Sequence, residues 1–192
     1  MSKEIRNQGE FIFTDCLLTG MIKDWENSPE YAKEKEKEPY VEEAFAIVQS
    51  GRLKDLELWV SLGKPVNLKG NLGLTLIHKA VELNRTEMVR LLLKAGADPE
   101  GDPWWSMTCT ELACWRATSE MVKILLGTAK RQEALIYYAL RHDKTLRSYD
   151  IVKTLLRAGV EFDSDMCLKE AKRLKKRFTY QLLKKYTDLK GG

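Results

Sequence analysis

The chain has little cysteine, few prolines, only two histidines and no long apolar run. Its four cysteines, Cys16, Cys109, Cys114 and Cys167, are scattered through 192 residues, whereas disulfide scaffolds are dense in cysteine and metal sites cluster it with histidine. That spacing predicts reduced thiols in a cytoplasmic protein, with no metal and no cofactor. No stretch approaches the roughly 18 consecutive apolar residues that span a bilayer, and Ser2-Lys3-Glu4-Ile5-Arg6-Asn7-Gln8 leads into no apolar signal core. A soluble chain without a membrane anchor is expected. GxGxxG, Walker, HExxH, GxSxG and kinase signatures are all missing, so the sequence gives no reason to expect an enzyme.

Charge is plentiful but uneven. The net value is +4, yet Lys169 to Lys190 holds nine Lys or Arg against Glu170 and Asp188, which leaves the rest of the chain slightly acidic. Lys172-Arg173-Leu174-Lys175-Lys176-Arg177 could steer the protein to nucleic acid or to an acidic protein surface. The favoured reading is the polar outer face that keeps a terminal repeat soluble.

What the chain does contain is an internal repeat. Thr75-Leu76-Ile77-His78-Lys79-Ala80 and Thr108-Cys109-Thr110-Glu111-Leu112-Ala113 are 33 residues apart, and Glu87 to Leu93 is followed at the same interval by Glu120 to Leu126. Gly63 precedes Gly96 by 33 residues as well. Ala134 to Ala139 with Ile151 to Gly159 makes a fourth unit, with an expected long inter-helix loop from His142 to Tyr149. Cys167 to Ala171 with Phe178 to Leu183 makes a degenerate fifth. Each unit reads as two helices: a short first one carrying small residues such as Ala80, Ala113 and Ala139, and a longer second one with a leucine stripe. Gly63, Gly96 and Gly159 fall where a left-handed helix cap favours glycine, and Asn84 falls at a turn that tolerates the same conformation.

These motifs, above all Gly73-Leu74-Thr75-Leu76-Ile77-His78-Lys79-Ala80 with Glu87 to Asp98, resemble the ankyrin-repeat family over roughly residues 40 to 187. The chain departs from the family pattern at Leu76, where proline is usual, and in units three to five, which lack the Thr/His pair. The resemblance implies an all-α solenoid of about five helix pairs. Residues 1–39 are expected to form an N-terminal capping helix and a charged connector. Residues 40–192 form the repeat domain, with units near 41–70, 71–103, 104–131, 132–164 and 165–190. Phe11, Leu18, Met21, Ile22 and Trp25 supply the stripe of the capping helix, and Tyr31 to Pro39 the connector.

For His78 the resemblance implies a structural bond to the Thr75 hydroxyl rather than catalysis or zinc. His142 has no ligand-spaced neighbour and reads as solvated. Cys109 and Cys114 fit neither a zinc pair nor a redox motif and read as packing residues. The loop between units two and three carries Trp104 and Trp105, where ankyrin fingers meet ligands; paired tryptophans there point to a binding hot spot, unless the rings fold back onto unit one or two. In the repeat frame Lys79, Glu82, Leu83, Trp115, Arg116, Tyr138 and Arg141 face the concave groove, an aromatic and basic strip suited to an interface core. Packing of Trp115 against a neighbouring helix is the alternative.

The expected function is therefore a protein-binding module. A chain with room for a repeat stack and little else acts by covering its partner's surface, as an inhibitor. The resemblance extends to immunity proteins that neutralise toxins and to proteins that block host factors. The partner would be a toxin, an enzyme or a host factor. Nucleic-acid binding through the basic last unit is the alternative.

Overall fold

The computed structural model describes residues 38–70, 73–100, 107–130 and 132–190. The expected capping helix, most of the connector, Trp104 and Trp105, and Cys16 lie outside the described residues.

Ten helices run in pairs along the described chain: α1 Glu38–Ser50 and α2 Leu53–Ser61, α3 Leu76–Glu82 and α4 Thr86–Lys94, α5 Cys109–Arg116 and α6 Ser119–Leu126, α7 Leu135–Leu140 and α8 Thr145–Arg157, α9 Ser164–Arg173 and α10 Arg177–Lys190. Helices α3, α5, α7 and α9 pack side by side in one layer, while α2, α4, α6, α8 and α10 pack in a second. The first layer is built on alanine: Ala80, Ala113, Ala139 and Ala171 are all fully buried. With no side chain beyond Cβ, these positions let neighbouring helices approach closely. The second layer packs bulkier groups such as Leu56, Leu92, Leu125 and Leu155, each worth about 1.5–3 kcal/mol on removal from water. Small residues on one side and large ones on the other make such a stack curve, with the alanine layer inside.

The turns repeat as the helices do. Gly51, Asn84 and Lys175 adopt positive φ of 73°, 53° and 55° between the two helices of units one, two and five. In each case the next residue's N–H donates back to a carbonyl five positions earlier: Arg52 to Ile47, Arg85 to Ala80 and Lys176 to Ala171, at 3.2, 2.8 and 2.9 Å. Gly63, Gly96 and Gly159 end the second helices in the same way, with φ of 67°, 86° and 78°. Lys64, Ala97 and Val160 donate to Trp59, Leu92 and Leu155. This six-residue closure satisfies helix-end carbonyls and requires the left-handed conformation that glycine adopts most readily.

Unit three breaks the pattern at both ends. Ala117, after α5, has φ −99° and ψ −149°, and Gly127, after α6, is right-handed at φ −68°.

Two features correct the sequence expectations. The loop expected from His142 to Tyr149 is only Arg141 to Lys144, because Thr145-Leu146-Arg147-Ser148-Tyr149 extends α8 to 13 residues. Without Gly or Pro, and with Ser148 buried, this stretch has nothing to stop a helix. His142 itself is not solvated but 2% exposed. Its Nε2 lies 3.1 Å from the carbonyl of Ala117, and its Nδ1 accepts from the Lys144 N–H at 3.0 Å, which makes Nε2 the donor. Asp143 Oδ1 is 2.9 Å from Nδ1 and accepts from the same Lys144 N–H, a carboxylate placement that favours protonation of the ring. Burial lowers its pKa, against the pull of the Ala117 carbonyl and of Asp143.

His142 is one rung of a polar ladder along the inter-helix turns. The Thr118 hydroxyl donates to Asn84 Oδ1 at 3.2 Å, joining units two and three. His142 joins units three and four. Lys176 Nζ then donates to the His142 carbonyl at 2.6 Å, joining units four and five. Lys176, counted in the sequence among the solvated basic residues, is therefore 6% exposed, and burial lowers its pKa. A second ladder runs along the opposite loops. Asn67 holds the Gly96 carbonyl and the Asp98 N–H at 3.1 and 2.8 Å, and Glu100 accepts from the Lys130 N–H at 3.2 Å.

Candidate binding surface

The starts of the inner helices show how local sequence sets their geometry. Before α3, Lys69 and Thr75 form an antiparallel bridge, and Gly70 N–H donates to the Leu74 carbonyl at 2.8 Å, the base of a finger. Thr75 Oγ1 sits 2.7 Å from His78 Nδ1, the bond the sequence implied. His78 is 2% exposed, and its Nε2 faces the Met107 backbone without closing a bond of ordinary geometry. Burial lowers its pKa, opposed by Met107 and by Asp98.

One repeat later the same position works by other chemistry. Thr108 Oγ1 accepts from the Glu111 N–H at 3.2 Å, while Glu111 Oε2 accepts from the Thr108 N–H at 2.7 Å. A capping box therefore replaces the imidazole staple. The spacing Thr108-x-x-Glu111 was visible in the sequence, but the comparison with the Thr/His pair masked it.

Cys109, Cys114 and Cys167 are free and fully buried. Desolvation raises all three thiols, Cys167 to about 12, so they pack rather than react. Among the described residues no group of three His, Cys, Asp or Glu could hold a metal ion, and no helix is long and apolar enough to cross a membrane.

The described groove candidates lie on adjacent inner helices. On α3, Lys79 Nζ pairs with Glu82 Oε2 at 2.9 Å, and Leu83 caps the helix half-buried. On α5, Trp115 is half-buried, and the Arg116 guanidinium carbon stands 4.2 Å above its ring centroid. On α7, Tyr138 is half-buried and sets its ring edge-on to Tyr137 at 6.1 Å. Just past that helix, Arg141 Nη1 donates to the Tyr137 hydroxyl at 2.9 Å and to Glu170 Oε1 at 3.3 Å.

Glu170 and Arg173 of α9 complete this cluster and were missed as site residues. Arg173 grips Glu170 with Nε on Oε2 and Nη2 on Oε1, both at 2.7 Å. The bonds from Arg173 hold the Glu170 carboxyl below its usual range, burial opposing them. Arg173 stands 32 residues after Arg141, one unit on, a register that would have found it. Its place in the basic tail drew attention to net charge instead.

Paired short helices, an alanine-built inner layer, repeated left-handed caps and finger loops define a helix-pair repeat protein. Residues 44–132 match the family of ankyrin repeats, in three copies, and this part of the chain is built of ankyrin repeats. The same helix-pair plan continues beyond that match through α7 to α10. No curated protein matches the sequence. Ankyrin repeats are protein–protein interaction modules, so a protein partner follows from the class.

Proposed function

We propose that this protein binds a partner protein across its inner helices and finger loops and inhibits it by covering a surface, as an immunity protein covers a toxin or an antagonist covers an enzyme or host factor. The observation that supports this most is Trp115. A large aromatic group left half-exposed on the inner helices, with Arg116 held against its face, has the make-up of an interface anchor. Lys79, Leu83, Tyr138 and Arg141 extend the surface to either side, and Trp104 and Trp105 supply its finger. The unpaired thiols suit a cytoplasmic site of action.

The test starts from affinity capture on the immobilised chain, with mass spectrometry to identify the partner. Trp115→Ala, and separately Trp104→Ala with Trp105→Ala, should each weaken binding of that partner by about 2 kcal/mol with little change in the unfolding midpoint. Adding the wild-type chain should lower the partner's own activity. Full retention of binding by both variants would sink the proposal. Nucleic-acid binding is the second reading, since Lys169, Lys172, Lys175, Arg177, Lys184 and Lys185 are all exposed; it requires affinity that falls steeply with salt.

A further inference from the structure

Across the inner layer of units three to five, guanidinium groups outnumber the carboxylate that faces them. Arg116, Arg141 and Arg173 lie on or next to three consecutive helices, and Glu170 is the only carboxylate bonded to any of them among the described residues. Arg173 takes both oxygens of Glu170. Arg141 uses only Nη1, shared between Tyr137 and Glu170. Arg116 is exposed, and its one contact among the described residues is the face of Trp115.

Stacking fixes the plane of a guanidinium and leaves its N–H fork directed outward, the geometry that grips a carboxylate through two parallel bonds. Arg141 is likewise braced against Tyr137, with its guanidinium carbon 5.5 Å from the ring centroid. Two arginines held by aromatic rings on neighbouring helices, one without a carboxylate among the described residues and one sharing its carboxylate with Arg173, form a receptor with positive charge left unanswered. At the other end of the layer the charge is balanced, because Lys79 already has Glu82.

We infer that the inner face of units three to five takes an acidic segment of the partner protein, with one carboxylate on Arg116 over Trp115 and another on Arg141 beside Tyr137. Packed helices lie about 8–10 Å apart, so the two acidic groups are separated by about that distance. This inference rests on the binding-module proposal and names the chemistry of its partner. The phosphates of a nucleic acid would meet the same charges, but aromatic rings already engaged by arginine are poor platforms for stacking bases, so a protein carboxylate is favoured.

The probe is a fluorescein-labelled peptide of alternating Asp and Tyr, titrated by anisotropy alongside a labelled oligothymidine of equal charge. The wild-type chain should bind the peptide more tightly than the oligothymidine. Arg116→Ala should weaken peptide binding about tenfold, as expected for losing a charge-assisted hydrogen-bond pair, and Arg116→Lys should recover little of it. Because Arg116 is bonded to no other element among the described residues, its variants should keep the wild-type urea midpoint. Absence of peptide binding, equal binding by Arg116→Ala, or tighter binding of oligothymidine would each overturn the inference. The binding-module proposal is separable: a captured partner that is lost by Trp115→Ala yet kept by Arg116→Ala preserves the module and removes the acidic segment.

Discussion

Lys175 stands where Gly51 and Asn84 stand in units one and two, and it holds φ at 55° with its side chain exposed. A residue with a Cβ in this conformation costs roughly 1–2 kcal/mol, whereas glycine adopts it freely at some loss of unfolded-state entropy. Lys175→Gly should therefore raise stability by a net of about 0.5–1 kcal/mol, read as a higher urea midpoint with unchanged slope. A fall would mean that the side chain makes a contact worth more than the strain. At the same scale His78 and Glu111 show one position filled by two chemistries. The Thr75 link to His78 was legible because the family pattern contains it. The capping box at Thr108 and Glu111 had to be seen in three dimensions, where Glu111 is found buried and turned back on the Thr108 N–H.

An element's length depends on what is absent as much as on what is present. Helix α8 gains a turn over α4 because Thr145 to Tyr149 has no residue that would end it, and Ser148 is carried into the core by that turn. Its hydroxyl is fully buried and has no hydrogen-bond partner among the described residues. Ser148→Ala removes an unanswered polar atom and improves helix propensity, so thermal and urea unfolding should report a gain of about 0.5–1 kcal/mol. A loss of that size would reveal a hydroxyl that is answered after all. These residues read as a loop in the sequence because an insertion between helices looks the same whether it lengthens a loop or a helix.

For the molecule as a stack, stability is set between neighbours rather than at one centre. The inner layer depends on Ala80, Ala113, Ala139 and Ala171 staying small, and the two ladders depend on residues about one repeat apart reaching each other. Ala113→Leu would insert a branched side chain between α5 and its neighbours, with an expected loss of about 1–3 kcal/mol from overpacking. Chemical denaturation would show this as a lower midpoint, and an unchanged midpoint would mean that the inner helices have space to part. The surface proposed for the partner depends on the same spacing, since Arg116 and Arg141 can grip one segment only while their helices remain packed.

The helix pairs, their repeat length and the glycine caps at Gly63, Gly96 and Gly159 are determined by sequence alone, because periodic leucine, buried alanine and left-handed glycine are local requirements written at fixed intervals. The fates of His142, Lys176, Glu170 and Arg173 were decided only by tertiary structure. Each of the four makes its defining bond to a residue of another repeat or depends on one that does: His142 to Ala117, Lys176 to His142, Glu170 to Arg141, and Arg173 through the carboxylate it shares with Arg141. A charged side chain in a linear sequence carries no sign of whether water or a neighbouring repeat will answer it, and folding alone supplies that partner.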